Sequence, residues 1–162
     1  MTNESAITIQ NEKSYSIPAE SLIEAAETVL RIHDAVHYEL SIVITDNAEV
    51  QALNQQFRQI DAPTDVLSFP AEPLPDEFKD NTRYLGDLVI AYPYASEQAQ
   101  RLNHNLEQSL MLLVVHGTLH LLGYDHDTPD NKAKMWAQQA EALTQLGVDL
   151  QIVPSLEDDH HV

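Results

Sequence analysis

His116, His120 and His126 are the residues of this chain whose type and spacing could do chemistry. In the run His116-Gly-Thr-Leu-His120-Leu-Leu-Gly-Tyr-Asp-His126 the first two histidines stand four positions apart. On a helix that spacing puts both side chains on one face with Cβ atoms about 5–6 Å apart, so both imidazoles reach a single metal ion. Gly123 can adopt the left-handed conformation that ends a helix, and the reversed chain would carry His126 back over the same face as a third ligand. Three protein ligands leave a fourth position for water, the open arrangement of a catalytic zinc site rather than the closed one of a structural site. Cysteine is absent, which excludes disulfides, thiolate metal sites and thiol nucleophiles, so any metal sits on N and O ligands. One histidine alone would be read as a hydrogen-bonded core or surface residue. His33, His37 and His104 lack the pattern and are read as surface or cap residues, and His160 and His161 in the tail are given no functional role.

Several elements must position those imidazoles. Residues 105–122 are apolar on nearly all sides, as a buried helix is, and a further helix is expected over 130–146, with an amphipathic one from Pro93 to about His104. Upstream, residues 5–10 alternate weakly as a first strand. Ser16 and Pro18 open a helix whose apolar positions Leu22, Ile23, Ala26, Val29, Leu30 and Val36 recur at helical spacing. Tyr38–Thr45 is rich in β-branched residues and ends at Asp46-Asn47, a strand followed by a cap and a short helix through Val50, Leu53 and Phe57. Residues 60–65 form a turn, 66–69 a short strand closed by Pro70, 71–84 an exposed loop, and 85–91 the last strand. The expected fold is α+β: one small mixed sheet of about four strands packed with about five helices, carrying a zincin-like three-histidine site. Trp136 on the last helix is read as core.

At 162 residues the chain is expected to form one domain, residues 1–153, followed by an acidic tail over 154–162. There are 26 acidic and 8 basic residues, a net charge of −18, and Lys13, Arg31, Arg58, Lys79, Arg83, Arg101, Lys132 and Lys134 are scattered without a run. Phosphate neutralisation needs clustered cations, so this composition argues against a general polyanion or anionic-membrane binder. The longest apolar stretch, 110–122, is well short of the roughly 20 residues a membrane span needs. The N-terminus carries Glu4 and Glu12 and no apolar run, which is unlike a secretory signal. A cytoplasmic protein is expected.

The spacing H-x-x-x-H-x-x-G-x-x-H is also that of the metzincin proteases, whose first histidine is followed by a glutamate general base. Gly117 stands there in this chain. Without a carboxylate to take a proton from water, peptide hydrolysis by that route has no base.

The full pattern H-G-x-L-H-L-x-G-Y-D-H over His116–His126 resembles the signature of the YbeY family of bacterial metal-dependent endoribonucleases. Two upstream blocks are similar as well: Leu53-Asn54 through Arg58 with Asp61-x-Pro-Thr-Asp-Val-Leu-Ser-Phe-Pro70, and Leu85-Gly-Asp-Leu-Val-Ile90. The resemblance covers about residues 40–146 and implies a single α+β domain with one zinc ion per chain on His116, His120 and His126. It implies a single-strand-specific endoribonuclease in ribosomal RNA processing, notably maturation of the 16S rRNA 3′ end, and in ribosome quality control. Arg58 and His116 are then the expected catalytic residues. Arg58 has a planar fork of donors suited to phosphate, and also a plainer use on the carbonyl end of its own helix.

Expected partners are ribosomal RNA and the small ribosomal subunit, with a small-subunit ribosomal protein or an assembly GTPase as recruiting protein; neither a membrane nor DNA is expected. Two other functions fit the residues: a non-catalytic zinc-stabilised ribosome assembly factor, and a metallohydrolase of another substrate. By themselves three imidazoles suit zinc, copper, nickel or iron. Asp65 reads as a turn or cap residue and Asp87 as structural. Asp125 or Asp127 either orients a metal histidine through its second nitrogen or shapes the turn.

Overall fold

The branched residues of YELSIVIT form β2 (Tyr38–Thr45), with Leu40, Ile42 and Ile44 buried on one side of the strand. Around it the computed structural model, which describes residues 6–71 and 83–157, builds a four-stranded mixed sheet in the order β1-β2-β4-β3. β1 (Ile7–Gln10) and β4 (Arg83–Ala91) run parallel to β2, and β3 (Val66–Pro70) pairs antiparallel with β4. Parallel pairing requires crossovers, and α1 (Ala19–Ile32) supplies the first of them, between β1 and β2. α2 (Asn47–Arg58) leaves β2 through Asp46, whose carboxylate accepts the Glu49 N–H at 2.8 Å as an N-cap. α3 (Tyr92–Arg101), α4 (Leu106–Leu121) and α5 (Pro129–Leu146) follow, then a 3-10 helix over Leu150–Glu157.

One face of the sheet carries the main core, where Leu22, Leu30, Leu110, Leu112, Leu119, Met135 and Leu143 of α1, α4 and α5 are fully buried. Each such side chain contributes about 1.5–3 kcal/mol of burial. α4 lies inside this layer and is apolar around its circumference, as its sequence predicts. The opposite face holds a smaller cluster of Val50, Leu67, Val89 and Ala91. Among the described residues no helix is long and apolar enough to cross a membrane.

Two boundaries depart from expectation. Val36 falls outside α1 and is 57% exposed, because Asp34 turns left-handed at φ 56° and the Ala35 N–H closes onto Leu30 O at 2.7 Å. Leu30 is therefore the last residue of that stripe to be buried. β4 begins at Arg83 rather than Leu85, since Tyr84 is held in register with Glu39 of β2. Of the expected loop over 71–84, residues 72–82 lie outside the described residues. The last 3-10 helix runs across the expected boundary at 153–154; residues 158–162, with His160 and His161, lie outside the described residues.

Candidate metal centre

Local rules build the histidine cluster. Asn105 Oδ1 accepts the Gln108 N–H at 3.0 Å and starts α4, which carries His116 and His120 one turn apart. The helix ends as its glycine predicts: Gly123 sits at φ 106°, its N–H bonds His120 O at 3.0 Å and the Tyr124 N–H bonds Leu119 O at 3.0 Å. The chain turns back and presents His126, whose backbone N–H is accepted by Asp125 Oδ1 at 2.7 Å. Ligand atoms of His116, His120 and His126 lie within 4.8 Å of one another. The expected convergence of three imidazoles is therefore present.

Hydrogen bonds on the outer ring nitrogens set the tautomers. Gln139 Oε1 accepts from His116 Nδ1 at 3.0 Å, and the Tyr124 carbonyl accepts from His120 Nδ1 at 2.9 Å. Both partners are acceptors, so both Nδ1 atoms carry the proton. The two Nε2 lone pairs then face each other at 3.2 Å, a repulsive contact unless a proton or a cation lies between them. A cation on these nitrogens removes that repulsion, and the donor set fits one.

His116 is only 1% exposed, and Gln139 is fully buried. Gln139 also keeps its Nε2 buried without a hydrogen-bond partner, a cost of roughly 1–3 kcal/mol. That cost is accepted by a residue whose other atom orients a site histidine. Trp136, read from sequence as core, packs edge-on against His116 and His126 with ring centroids at 5.8 and 5.6 Å. Carboxylates do not hold the outer nitrogens of His116 and His120: Asp125 serves its turn, and Asp127 accepts from Asn131 Nδ2 at 2.8 Å, which keeps its carboxyl below the usual value.

Gly117 acquires a physical reason. A Cβ there would lie 2.7 Å from Leu88 Cδ2 and 3.2 Å from Ser68 Oγ, so any side chain at the protease position requires the buried Leu88 to shift. Position 117 faces β3 and β4, so a side chain there would meet Leu88 and Ser68 before anything else.

Arg58 reaches the same region from the far side of the sheet order. Gln59, left-handed at φ 58°, ends α2. The following loop is pinned by Asn54 Nδ2 donating to Ala62 O at 2.8 Å and Gln51 Nε2 donating to Asp61 Oδ1 at 2.9 Å. Arg58 thereby lines a groove of about 260 Å³ together with Phe57, Ser68, Phe69, His116 and His120. Partial burial pulls its guanidinium below the usual arginine value, and it stays a cation.

The remaining expected residues have structural places. Asp65 is buried beside Thr64, and its carbonyl accepts the Ala91 N–H at 2.9 Å. Asp87 accepts from Tyr84 OH, which also reaches Ser41 Oγ at 2.9 Å; burial and that carboxylate raise the tyrosine pKa. His33 caps α1, its Nδ1 on Val29 O at 2.9 Å and its Nε2 on Tyr124 OH at 3.1 Å. Gln139, the Tyr124 carbonyl and the exposed Phe57 were not singled out from sequence. For Gln139 a signal existed: a polar residue on the stripe that buries Met135, Ala142 and Leu143.

Comparisons with known proteins identify the family and the fold. The family model described as Endoribonuclease YbeY matches residues 2–147. A Roseiflexus protein named Endoribonuclease YbeY is 41% identical over 153 residues, covering 90% of this chain and 96% of the relative. One of the same name from Nocardia farcinica is 39% identical over 146 residues, covering 85% and 78%. The solution structure of a Thermotoga maritima protein superposes with a TM-score of 0.59 at 29% identity, covering 95% of this chain and 97% of that one. A match across nearly the whole chain, together with the three-histidine cluster that the signature specifies, means that the chain belongs to the YbeY endoribonuclease family.

Proposed function

We propose that the protein cleaves single-stranded RNA with one zinc ion on His116, His120 and His126 and with Arg58 on the phosphate. Ribosomal RNA is the proposed substrate, at the 3′ end of 16S rRNA and on defective small subunits, in the cytoplasm. The observation that carries this reading is the groove in which a half-buried arginine and two of the three histidines meet. A zinc ion there supplies Lewis-acid polarisation and a water of lowered pKa. Arg58 presents paired donors to the phosphoryl oxygens, orients the strand and neutralises charge that develops on them. Gln139 and the Tyr124 carbonyl keep the Nδ1 protons of His116 and His120 in place, so that both Nε2 atoms stay available. The wall formed by Trp136 shields His116 from solvent.

Cleavage of a single-stranded RNA oligonucleotide tests the reading. Arg58→Ala is expected to lower kcat about 10²–10³-fold with zinc content unchanged, the usual cost of removing a donor to developing charge. Wild-type rates in that variant would remove Arg58 from the mechanism. No cleavage by the zinc-loaded wild type would favour an assembly factor over an enzyme. Gln139→Leu is expected to weaken zinc binding about 10–100-fold in a chelator competition while changing stability little, since the substitution also removes the orphaned Nε2. Unchanged zinc affinity would show that the Gln139 contact is mere packing.

The net charge of −18 opposes long-range approach to RNA. Recruitment by a small-subunit ribosomal protein or an assembly GTPase would overcome it, and the expected activity on naked RNA is low but measurable. Tight, sequence-independent binding of the purified protein to single-stranded RNA at physiological salt would contradict this.

A further inference from the structure

Phe57 is 55% exposed, a large apolar ring left open at the end of a helix. It continues the stripe of Val50 and Asn54, both buried, so by periodicity alone it should be covered. Instead it stands beyond the small core on that face and packs edge-on against Phe69 of β3, with ring centroids 5.2 Å apart and planes at 69°. Both rings line the groove that holds Arg58, Ser68, His116 and His120.

An exposed ring beside a phosphate-binding arginine matches the way single-stranded nucleic acid is held. The backbone is tracked by a cation, and a base lies on an aromatic face. Every base has such a face, so the contact is tolerant of sequence. A paired base in a helix is already stacked above and below and cannot offer it. The edge contact with Phe69 restricts the Phe57 ring, which lowers the side-chain freedom lost on stacking.

We propose that Phe57 is the stacking platform for the base adjoining the phosphate at Arg58, and that this contact supplies the preference for unpaired strands. The inference rests on the RNA-cleaving reading above. Phe57 and Arg58 line the same groove, so one strand lying in it can place a phosphate on the guanidinium and a neighbouring base on the ring.

The test compares wild type, Phe57→Ala and Phe57→Tyr, all zinc-loaded, on an RNA oligonucleotide and on copies with an abasic nucleotide moved through the positions flanking the cleaved bond. Phe57→Ala is expected to lower kcat/KM on the intact strand about tenfold or more, the usual loss for one stacked base. Phe57→Tyr should stay near wild type. On the strand lacking the stacked base, wild type and Phe57→Ala should cleave equally. Wild-type rates for Phe57→Ala on the intact strand, or the same fold loss on every abasic strand, would overturn the proposal. A second readout, stopped-flow fluorescence of a 2-aminopurine strand before cleavage, separates the platform from the chemistry. Quenching by wild type but not by Phe57→Ala, with no cleavage by either, would sustain the platform and sink the ribonuclease reading. Neither quenching nor cleavage by wild type would sink both.

Discussion

His116→Ala should abolish RNA cleavage and lower zinc affinity by more than about a hundredfold, exceeding the 10–100-fold expected for loss of its outer partner Gln139. Two effects combine. The substitution removes one of three convergent ligands, and it strips fully buried Gln139 of the hydrogen bond its Oε1 accepts from a histidine that is itself 1% exposed. The second effect costs about 1–3 kcal/mol of stability. His120→Ala, at a half-buried position, should lose zinc and cleavage with a smaller loss of stability. Thermal unfolding with and without zinc separates the terms. Zinc at a hundred times its dissociation constant should stabilise the wild type by about 2.7 kcal/mol and leave both variants unmoved. Retained cleavage in both histidine variants would end the metal assignment and point to a contaminating nuclease.

Gly86→Ala should be the most damaging single-methyl change, with at least about 3 kcal/mol lost in urea unfolding. Gly86 sits in β4 at φ 140°, where a side chain is strained by about 1–3 kcal/mol. A Cβ would lie 2.2 Å from Phe69 O and 2.9 Å from both Ala71 N and Pro70 Cα. These are backbone atoms, which cannot rotate away as the end of a side chain can, so overpacking adds another 1–3 kcal/mol or so. Relief requires parting β3 from β4, which would carry Ser68 and Phe69 out of the groove. Even at permissive temperature the folded fraction should therefore cleave poorly while keeping its zinc, since the histidines stand on α4 and the turn after it. A stability within about 0.5 kcal/mol of wild type would refute the account.

The histidine cluster could be read directly from the chain because local rules govern it. Helical periodicity sets His116 against His120, and the stop at Gly123 returns His126 six positions after His120, all within one stretch of sequence. The strands of β2 and β3, the capped start of α2 and the all-round burial of α4 were legible for the same reason: alternation, caps and apolar periodicity act over neighbouring residues. Packing between distant segments decided the rest. Gln139 meets His116 from 23 residues away, because α5 lies against α4. Parallel pairing with β2, rather than composition, extended β4 back to Arg83. Arg58 had two readings in the sequence, a helix-end cation or a phosphate ligand, and only the tertiary structure brings it into one groove with His116 and His120, where the proposed phosphate role would place it. Phe57 has the periodicity of a core residue and is exposed because the smaller core ends before it. Hydrogen-bonded turns are written in adjacent residues, whereas which surfaces meet depends on the free energy of burying whole faces together, and that is settled only when the sheet and helices close on one another.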